Sequence, residues 1–407
     1  MIVTSVTCHV LLAGDVDADA TSSAQDGFVV EIGTDEGLTG IGETDVNPWV
    51  AEACIRAPGT HSMGRSLEEL LLGQDPMRID ELWQRLYVGS AMNGRRGAVV
   101  SAIGAIDMAL HDLRGKALGQ PVRRLLAGDA GDRVVPYASL QPEPAEPALD
   151  GYREELLAWA ARARGLGFRA MKLETTFDGP YAHLGIAASD AETVELVAAV
   201  REAIGPDVDL MVDLQYAFMH DVDRALRFLH EVEPLGLFFV ETPLWPDDLD
   251  GHARLAAESR VPVASGEWLG TRHEFAELID RGGVAVAQPD VGRVGGLTEA
   301  LAVARLAESR GRRIVPHAWK TALSISAAAS LAAAVPNCPY VEFLPDELNA
   351  SELRRELVRV DWELRDGELV LSDSPGLGAE LDRDALERFA ANAARAWRRS
   401  RARTATG

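Results

Sequence analysis

Ionisable side chains follow a series of short apolar runs in the second half of the chain. From Asp213 onward they recur about every 25 residues, and the full set is Lys172, Glu174, Asp213, Glu241, Glu267, Asp290, His317 and Glu342. Any one of them, in a chain with 63 acidic residues, is explained as a solvated loop residue or a helix N-cap. A whole series is different, because a charge after a buried run costs free energy unless it is paired or bound to a metal. The series therefore predicts a functional site.

Three members of the series are carboxylates that end consecutive runs, namely Asp213, Glu241 and Glu267. An all-oxygen, triply anionic set without cysteine or histidine favours Mg²⁺, with Mn²⁺ as a possible substitute, over Zn²⁺. A metal-dependent hydrolase would need histidines near the first run, usually as His-x-His, and this part of the chain has no such motif. We therefore predict a magnesium site formed by these three residues.

The next two runs end in Asp290 and His317. A carboxylate that accepts a hydrogen bond from one imidazole nitrogen fixes the tautomer and leaves the other nitrogen free to act as a general acid or base. This pairing favours a catalytic histidine, although a lone histidine is usually structural.

Lys172 and Glu342 have two interpretations each. The chain has only three lysines, so a lysine among the acids is informative, yet it would also serve simply to neutralise them. Glu342 is either structural or a carboxyl group whose pKa is raised by the neighbouring acids, so that it donates a hydrogen bond as a neutral acid.

These groups together suit the removal of a proton next to a carboxylate. The product of that step is a dianionic enediolate, which a divalent cation, a lysine and a neutral acid would stabilise as the charge develops. The expected substrate is accordingly a small carboxylate.

The runs that carry these residues read as buried strands. They are VVPYASL, FRAMKLE, VDLMVD, GLFFVE, VPVASGE, VAVAQPD, RRIVPH and PYVEF, and helical segments separate them. Continuous apolar runs alternating with helices are typical of parallel strands buried on both faces. We predict a closed (β/α) barrel with the site at the carboxyl ends of its strands, and an open doubly wound sheet is the alternative.

The chain before this repeat predicts a separate α+β module. FVVEIGTDEGLTGIGE reads as a hairpin, and RRGAVVSAIGAIDMALHDLRGKAL as a helix that Gly119 and Pro121 end. A second hairpin, WELRDGELVL, and an Arg-rich helix close the sequence and could return to the first module. We predict three segments: a capping domain at 1–126, the barrel at 127–351, and a C-terminal segment at 352–407.

The composition excludes several classes of partner. The net charge of −23 argues against nucleic acid and against an anionic membrane surface. The N-terminus lacks the basic region and apolar run of a signal peptide, and no apolar stretch is long enough to span a membrane. A cytoplasmic protein is expected.

The motifs together resemble the enolase superfamily, and within it the mandelate racemase-like group. The resemblance rests on AIGAIDMALHDLRGKALGQPVRRLLAG, FFVETP, VASGEWLG, QPDVGRVGGLTEA and VPHAWKT. It implies a modified (β/α)8-type TIM barrel, with an α+β cap formed by the N-terminal region and the C-terminal tail, and a homo-oligomer. It also implies the roles reasoned above: Asp213, Glu241 and Glu267 as metal ligands, Asp290 and His317 as the catalytic dyad, and Glu342 as the acid on the eighth strand.

One position departs from the family pattern. The second strand of the family commonly ends Lys-x-Lys, with the second lysine as the base on the face opposite the histidine, whereas here Lys172 is followed at that position by Glu174. Racemisation needs competent groups on both faces, and β-elimination can proceed with one. We therefore expect dehydration of an acid sugar to a 2-keto-3-deoxy acid. The alternatives are a racemase or epimerase that uses Glu174 or Lys172 opposite His317, and a catalytically impaired metal-binding paralogue. Glu174 is either a base or a partner of Lys172.

The substrate's size and charge should depend on the loops of the cap. The segment AGDVDADATSSAQD carries Asp15, Asp17, Asp19 and Asp26. If it closes over the site, it should disfavour a second anionic group, so we expect a monoacid such as an aldonate.

Overall fold

A computed structural model describes residues 1–17, 23–143, 148–183, 185–348 and 351–405. Asp19, one of the four acids of the N-terminal loop, lies outside these residues. Within the described parts, no helix has both the length and the apolar character needed to cross a membrane.

The N-terminal module is an antiparallel sheet covered by helices. Its strands pair in the order β1-β2-β3 and are β1 (Val3–Leu12), β2 (Asp26–Thr34) and β3 (Thr39–Thr44). The helices are α1 (Pro48–Arg56), α2 (Leu67–Leu71), α3 (Ile79–Gly89), α4 (Ala98–Leu118) and α5 (Val122–Leu126). The β2–β3 hairpin and the helix that Gly119 ends in the left-handed conformation are both as predicted.

Glycines allow α4 to lie directly on β3. A Cβ atom added to Gly40 or Gly42 would come within 2.0 Å of a backbone carbonyl oxygen of α4. This close approach holds the end of β3, and with it Glu43 and Asp45, in a fixed position.

The eight predicted runs form eight parallel strands. After the short β4 (Arg133–Val134), they are β5 (Pro136–Leu140), β6 (Ala170–Glu174), β7 (Asp209–Asp213), β8 (Phe239–Glu241), β9 (Val263–Ser265), β10 (Val286–Ala287), β11 (Arg313–Ile314) and β12 (Val341–Phe343). Their order is β11-β10-β9-β8-β7-β6-β5-β12, so the last strand pairs with the first. The consecutive order excludes a doubly wound sheet and confirms the TIM-like fold. Among the described residues no ladder joins β11 to β12, so the ring of hydrogen bonds is open at that point.

Helices between the strands cover the outside of this sheet. They are α6 (Leu149–Gly165), α7 (Asp190–Ile204), α8 (Val222–Val232), α9 (Leu249–Glu258), α10 (Thr271–Asp280), α11 (Leu297–Ser309) and α12 (Ala322–Ala334). Inside the strands a small, fully buried cluster fills the lower part of the barrel, formed by Tyr137, Ala170, Met211, Phe239, Ala264, Val286 and Val315. The interior of the barrel is therefore packed below the carboxyl ends of its strands, where the site is expected in this fold.

The C-terminal segment contacts both modules. It contains α13 (Glu352–Glu356), β13 (Val358–Val360), β14 (Glu363–Arg365), β15 (Glu368–Val370), β16 (Ala379–Leu381) and α14 (Arg383–Ala405). The β14–β15 hairpin is as predicted, but it pairs with β4 at the start of the barrel. Several parts of the segment also contact the cap. The Asn392 side chain of α14 donates hydrogen bonds of 3.0 Å to the carbonyls of Leu12 and Ala13, and the Leu377 amide donates to Asp112 Oδ1 of α4 at 2.9 Å.

Candidate active site

Strand alternation carries the predicted residues to the mouth of the barrel. Met211 and Phe239 point into the packed interior, and Asp213 and Glu241 follow two residues later on the same face. All eight residues of the series are buried. Six of them line one cleft, whereas Glu241 and Asp290 lie behind its wall and contact Lys172 and His317 respectively. The structure thus brings the whole predicted series together.

Glu267 reaches the cleft through an irregular backbone. It lies beyond the end of β9, and the preceding Gly266 has a φ of +123°. A Cβ atom at Gly266 would lie 2.6 Å from the Phe275 ring, so both conformation and space require glycine. This residue turns the Glu267 carboxylate toward the cleft.

Lys172 lies at the centre of the acidic cluster. Its Nζ is 3.0 Å from both carboxylate oxygens of Glu241, 3.1 Å from Glu342 Oε1 and 3.6 Å from Asp213 Oδ2. No ion pair joins it to Glu174 in the described residues, although its charge opposes the rise in the pKa of Glu174, so the role of Glu174 as a partner of Lys172 stays a prediction. Burial lowers the pKa of Lys172, but the surrounding carboxylates outweigh burial and raise it well above the usual value. Lys172 therefore stays charged at neutral pH.

Residues in strained conformations hold two of the carboxylates. Thr242 and Tyr216 have φ of +46° and +64°. The Thr242 hydroxyl donates to Asp213 Oδ1 at 2.7 Å, and the Tyr216 hydroxyl donates to Glu267 Oε1 at 2.9 Å. Left-handed backbone at bulky residues is unfavourable and persists where the surrounding structure demands it. These two contacts fix the orientation of the carboxylates.

His317 and Asp290 form the predicted dyad. Nδ1 of His317 is 2.6 Å from Asp290 Oδ2, and Nε2 lies 3.3 Å from Glu267 Oε2 and 3.9 Å from Glu342 Oε2. Burial lowers the pKa of His317, but the charge of Glu342 and the contact with Asp290 outweigh burial and raise it to about 9. The imidazole in this arrangement is protonated at neutral pH.

Glu342 does not behave as a neutral acid here. Burial raises its pKa, but Lys172 and His317 outweigh that effect and lower it to about 2. The backbone amide of Ala318 also donates to Oε2 at 3.0 Å. The expectation of a raised pKa is therefore wrong, because it took account of the neighbouring acids and not of Lys172 and His317, whose charges have the larger effect.

Glu174 lies across the mouth from His317, on β6. Burial, reinforced by the charge of Asp213, raises the pKa of its carboxyl group to about 8. Its Oε1 lies 3.4 Å from Nε2 of His183, whose pKa burial lowers to about 4. Glu174 thus titrates near neutral pH, which is the property of a candidate acid or base.

Several residues of the site were not identified from the sequence. Arg293 lies within 4.0 Å of both Glu267 and Asp290 and forms an ion pair with Asp45 of the cap. Asp45 in turn lies 3.1 Å from Lys320, whose Nζ also contacts Asp26 at 2.7 Å. The position of Arg293, three residues after Asp290, could have indicated that it lies at the site. Nothing in the sequence relates it to Asp45.

The cleft has an empty volume of about 790 Å³, which suits a small molecule. Aromatic side chains form one wall, and Tyr216, Trp268 and Tyr181 line it with ring centroids 4.4 to 6.2 Å apart. Trp319 lines the cleft elsewhere, and Trp245 packs behind Tyr216 and Trp268. The cleft thus combines a charged floor with an aromatic wall.

The donor chemistry of the floor fits a divalent cation. In the described residues no three ligating side chains are already drawn together around one point, and the Lys172 ammonium bridges Asp213 and Glu241. Burial, with repulsion from Asp213, raises the pKa of Glu241 and of Glu267. A hard divalent cation would relieve both effects and would find the oxygen donors it prefers.

Comparison with known proteins gives two family matches. Residues 7–127 match the mandelate racemase/muconate lactonizing enzyme N-terminal domain, and residues 155–385 match the enolase C-terminal domain-like family. D-galactarolactone cycloisomerase of Agrobacterium fabrum is 33% identical over 89% of this chain and 90% of its own. D-galactonate dehydratase of Xanthomonas oryzae is 31% identical over 88% and 90%.

Solved structures agree with these matches. A racemase from Streptomyces coelicolor, with bound magnesium, superposes with a TM-score of 0.77 at 27% identity, over 95% of this chain and 99% of that one. Similar proteins therefore include acid-sugar dehydratases, cycloisomerases and racemases. The chain belongs to the mandelate racemase/muconate lactonizing enzyme family of the enolase superfamily.

Proposed function

We propose that the protein removes the α-proton of an aldonate and expels the β-hydroxyl group, giving a 2-keto-3-deoxy acid. The observation that carries the proposal is the His317–Asp290 dyad, with a 2.6 Å contact, beside a buried floor of carboxylates and one lysine. The similarity to a D-galactonate dehydratase supports the same reaction.

Asp213, Glu241 and Glu267 would hold the Mg²⁺ ion, for which Mn²⁺ is a possible substitute. When bound, the ion supplies positive charge that stabilises the enediolate as it forms. The magnesium in the structure of the S. coelicolor racemase supports this assignment.

Lys172 and His317 act on the substrate directly, and Asp290 and Glu342 position them. Lys172 offers a charged ammonium to the substrate carboxylate and helps to stabilise its developing charge. His317, in its neutral form, takes the α-proton through Nε2, because Asp290 holds Nδ1. The imidazolium then donates a proton to the departing hydroxyl. Glu342, ionised here, positions Lys172 and His317.

A racemase or epimerase is the second candidate, because Glu174 has a pKa near 8 and lies across the mouth from His317. Glu174 would then exchange a proton on the opposite face of the enediolate. Both candidates share the first step and differ in whether the β-hydroxyl group is lost.

Proton NMR in heavy water, with Mg²⁺ and a panel of aldonic and aldaric acids, distinguishes the candidates. We expect a 2-keto-3-deoxy acid from an aldonate, with wild type and with Glu174→Gln, and none with His317→Asn. Exchange of the α-proton with every hydroxyl retained, together with inversion at the α-carbon that is lost in Glu174→Gln, would identify a racemase or epimerase. Magnesium binding without exchange across the panel would contradict both and favour an impaired paralogue.

A further inference from the structure

Arg354 is a buried cation with no hydrogen-bond partner for its guanidinium group among the described residues. It lies on the short helix α13 with 9% of its side chain exposed. None of its three guanidinium nitrogens donates a hydrogen bond within the described parts of the chain. The guanidinium lies over the Trp319 ring, with its carbon 4.4 Å from the ring centroid, and the charges of Glu342 and Asp45 partly oppose the effect of burial on its pKa. Burial lowers its pKa to about 10, so it remains charged at neutral pH.

This guanidinium lines a second cavity, beside the catalytic cleft. The cavity has an empty volume of about 930 Å³ and lies between α12, α13 and the strands β12 to β14. Part of its wall is apolar and is formed by residues that include Ile325, Phe343, Leu344 and Trp362. Trp319 contacts Arg354 and lines the catalytic cleft, so it lies between the two spaces.

Burying a charged guanidinium, which has five N–H donors, costs much free energy when no neighbouring group accepts hydrogen bonds from it. Buried polar groups of this kind normally have a hydrogen-bond partner. We propose that this cavity is a binding site for a small organic carboxylate with an apolar body, whose carboxylate pairs with Arg354. The planar guanidinium suits a carboxylate, and the apolar walls suit the body of the ligand.

Charges of both signs line the cavity. The exposed acids Asp346, Glu347 and Glu363 lie on it, and so do Lys320 and Arg355. One carboxylate provides the acceptors that Arg354 needs, so the ligand we propose is a monocarboxylate. This site is independent of the proposed reaction.

Calorimetric titration of the full chain with Mg²⁺ present tests the proposal, using phenylacetate as the probe and phenylacetamide as its neutral counterpart. We expect phenylacetate to bind the wild-type protein and phenylacetamide to bind at least about tenfold more weakly, because charge-assisted hydrogen bonds are lost. Arg354→Met should weaken phenylacetate binding by a similar factor. Arg355→Met, an exposed arginine of the same helix and cavity, is the matched control and should bind as wild type.

Two further measurements separate this site from the catalytic cleft and from a folding defect. Lys172→Met alters the catalytic cleft and should still bind phenylacetate. If Lys172→Met loses phenylacetate binding and Arg354→Met keeps it, the proposal is overturned. The melting temperature of Arg354→Met without ligand should equal or exceed that of wild type, because an unpaired buried charge is removed. A large fall would mean that protein or water already satisfies Arg354, and equal binding of acid and amide would likewise refute the site.

Discussion

Asp290→Asn removes one charge from the buried dyad and keeps its shape. Asp290 and His317 are both nearly inaccessible, and their atoms are 2.6 Å apart. A charge-assisted hydrogen bond is worth about 1.5–3 kcal/mol, and 1.36 kcal/mol corresponds to one pKa unit. The substitution should therefore lower the pKa of His317 by about 1 to 2 from its value of about 9.

The direction of the pH effect follows from the role of the base. Because the pKa of His317 is raised, most of its imidazole is protonated at pH 7, so the rate of α-proton removal should rise with pH as the imidazole loses its proton. In Asp290→Asn the rise should occur at lower pH. The maximal rate should nevertheless fall about 10²–10⁴-fold, because the asparagine no longer fixes the tautomer, by analogy with the carboxylate beside the histidine of serine proteases.

The assay is the exchange of the substrate α-proton in heavy water, followed by NMR between about pH 6 and 10. Asp280→Asn, an exposed aspartate on α10, controls for the chemical change itself and should leave the profile unaltered. A profile of Asp290→Asn with an unmoved midpoint would refute the reasoning, since Asp290 would then not set the protonation of His317. A full rate at the maximum would refute its orienting role.

Other substitutions test the floor of the cleft. Lys172→Met should abolish turnover and destabilise the metal-free protein by about 3–5 kcal/mol, because the buried carboxylates lose their cation. Mg²⁺ should therefore raise the melting temperature of this variant more than that of wild type, and an equal rise would contradict the reasoning. Tyr216→Phe removes the hydroxyl that orients Glu267 and should weaken Mg²⁺ binding about tenfold by calorimetry, whereas unchanged affinity would show that the contact is dispensable. A chelator should abolish activity, and Mg²⁺ or Mn²⁺ should restore it to wild type but not to Glu241→Gln; activity that resists the chelator would exclude the proposed metal role.

The barrel and its ligand series were predictable because both depend on local periodicity. Each strand alternates inside and outside, so the spacing from Met211 to Asp213 or from Phe239 to Glu241 already places the acid above a core residue. The interval of about 25 residues between acids is one strand and one helix. The strand alternation and the interval between acids do not depend on the cap, so both can be read from the sequence alone.

Contacts between the cap and the barrel were not predictable in this way. Arg293 and Asp45 are 248 residues apart, and only the folded structure brings them together. The same holds for the C-terminal hairpin, whose β-pattern was clear although its partner, β4, was not. The lowered pKa of Glu342 also depends on Lys172 and His317, which reach it from other strands. Sequence periodicity gives the direction of a side chain, whereas its charge state depends on neighbours from the whole fold.

The positions of His317 and Glu174 connect the choice of reaction to stereochemistry. His317 follows β11 and Glu174 ends β6, five strands apart across the mouth of the barrel. If His317 both removes the α-proton and protonates the departing hydroxyl, the two groups must leave from the same face of the substrate. An anti elimination would instead require Glu174 as the acid, which its pKa of about 8 permits at neutral pH. A pair of aldonates epimeric at the β-carbon therefore reports which residue acts, since dehydration through His317 alone should accept one epimer and should survive Glu174→Gln.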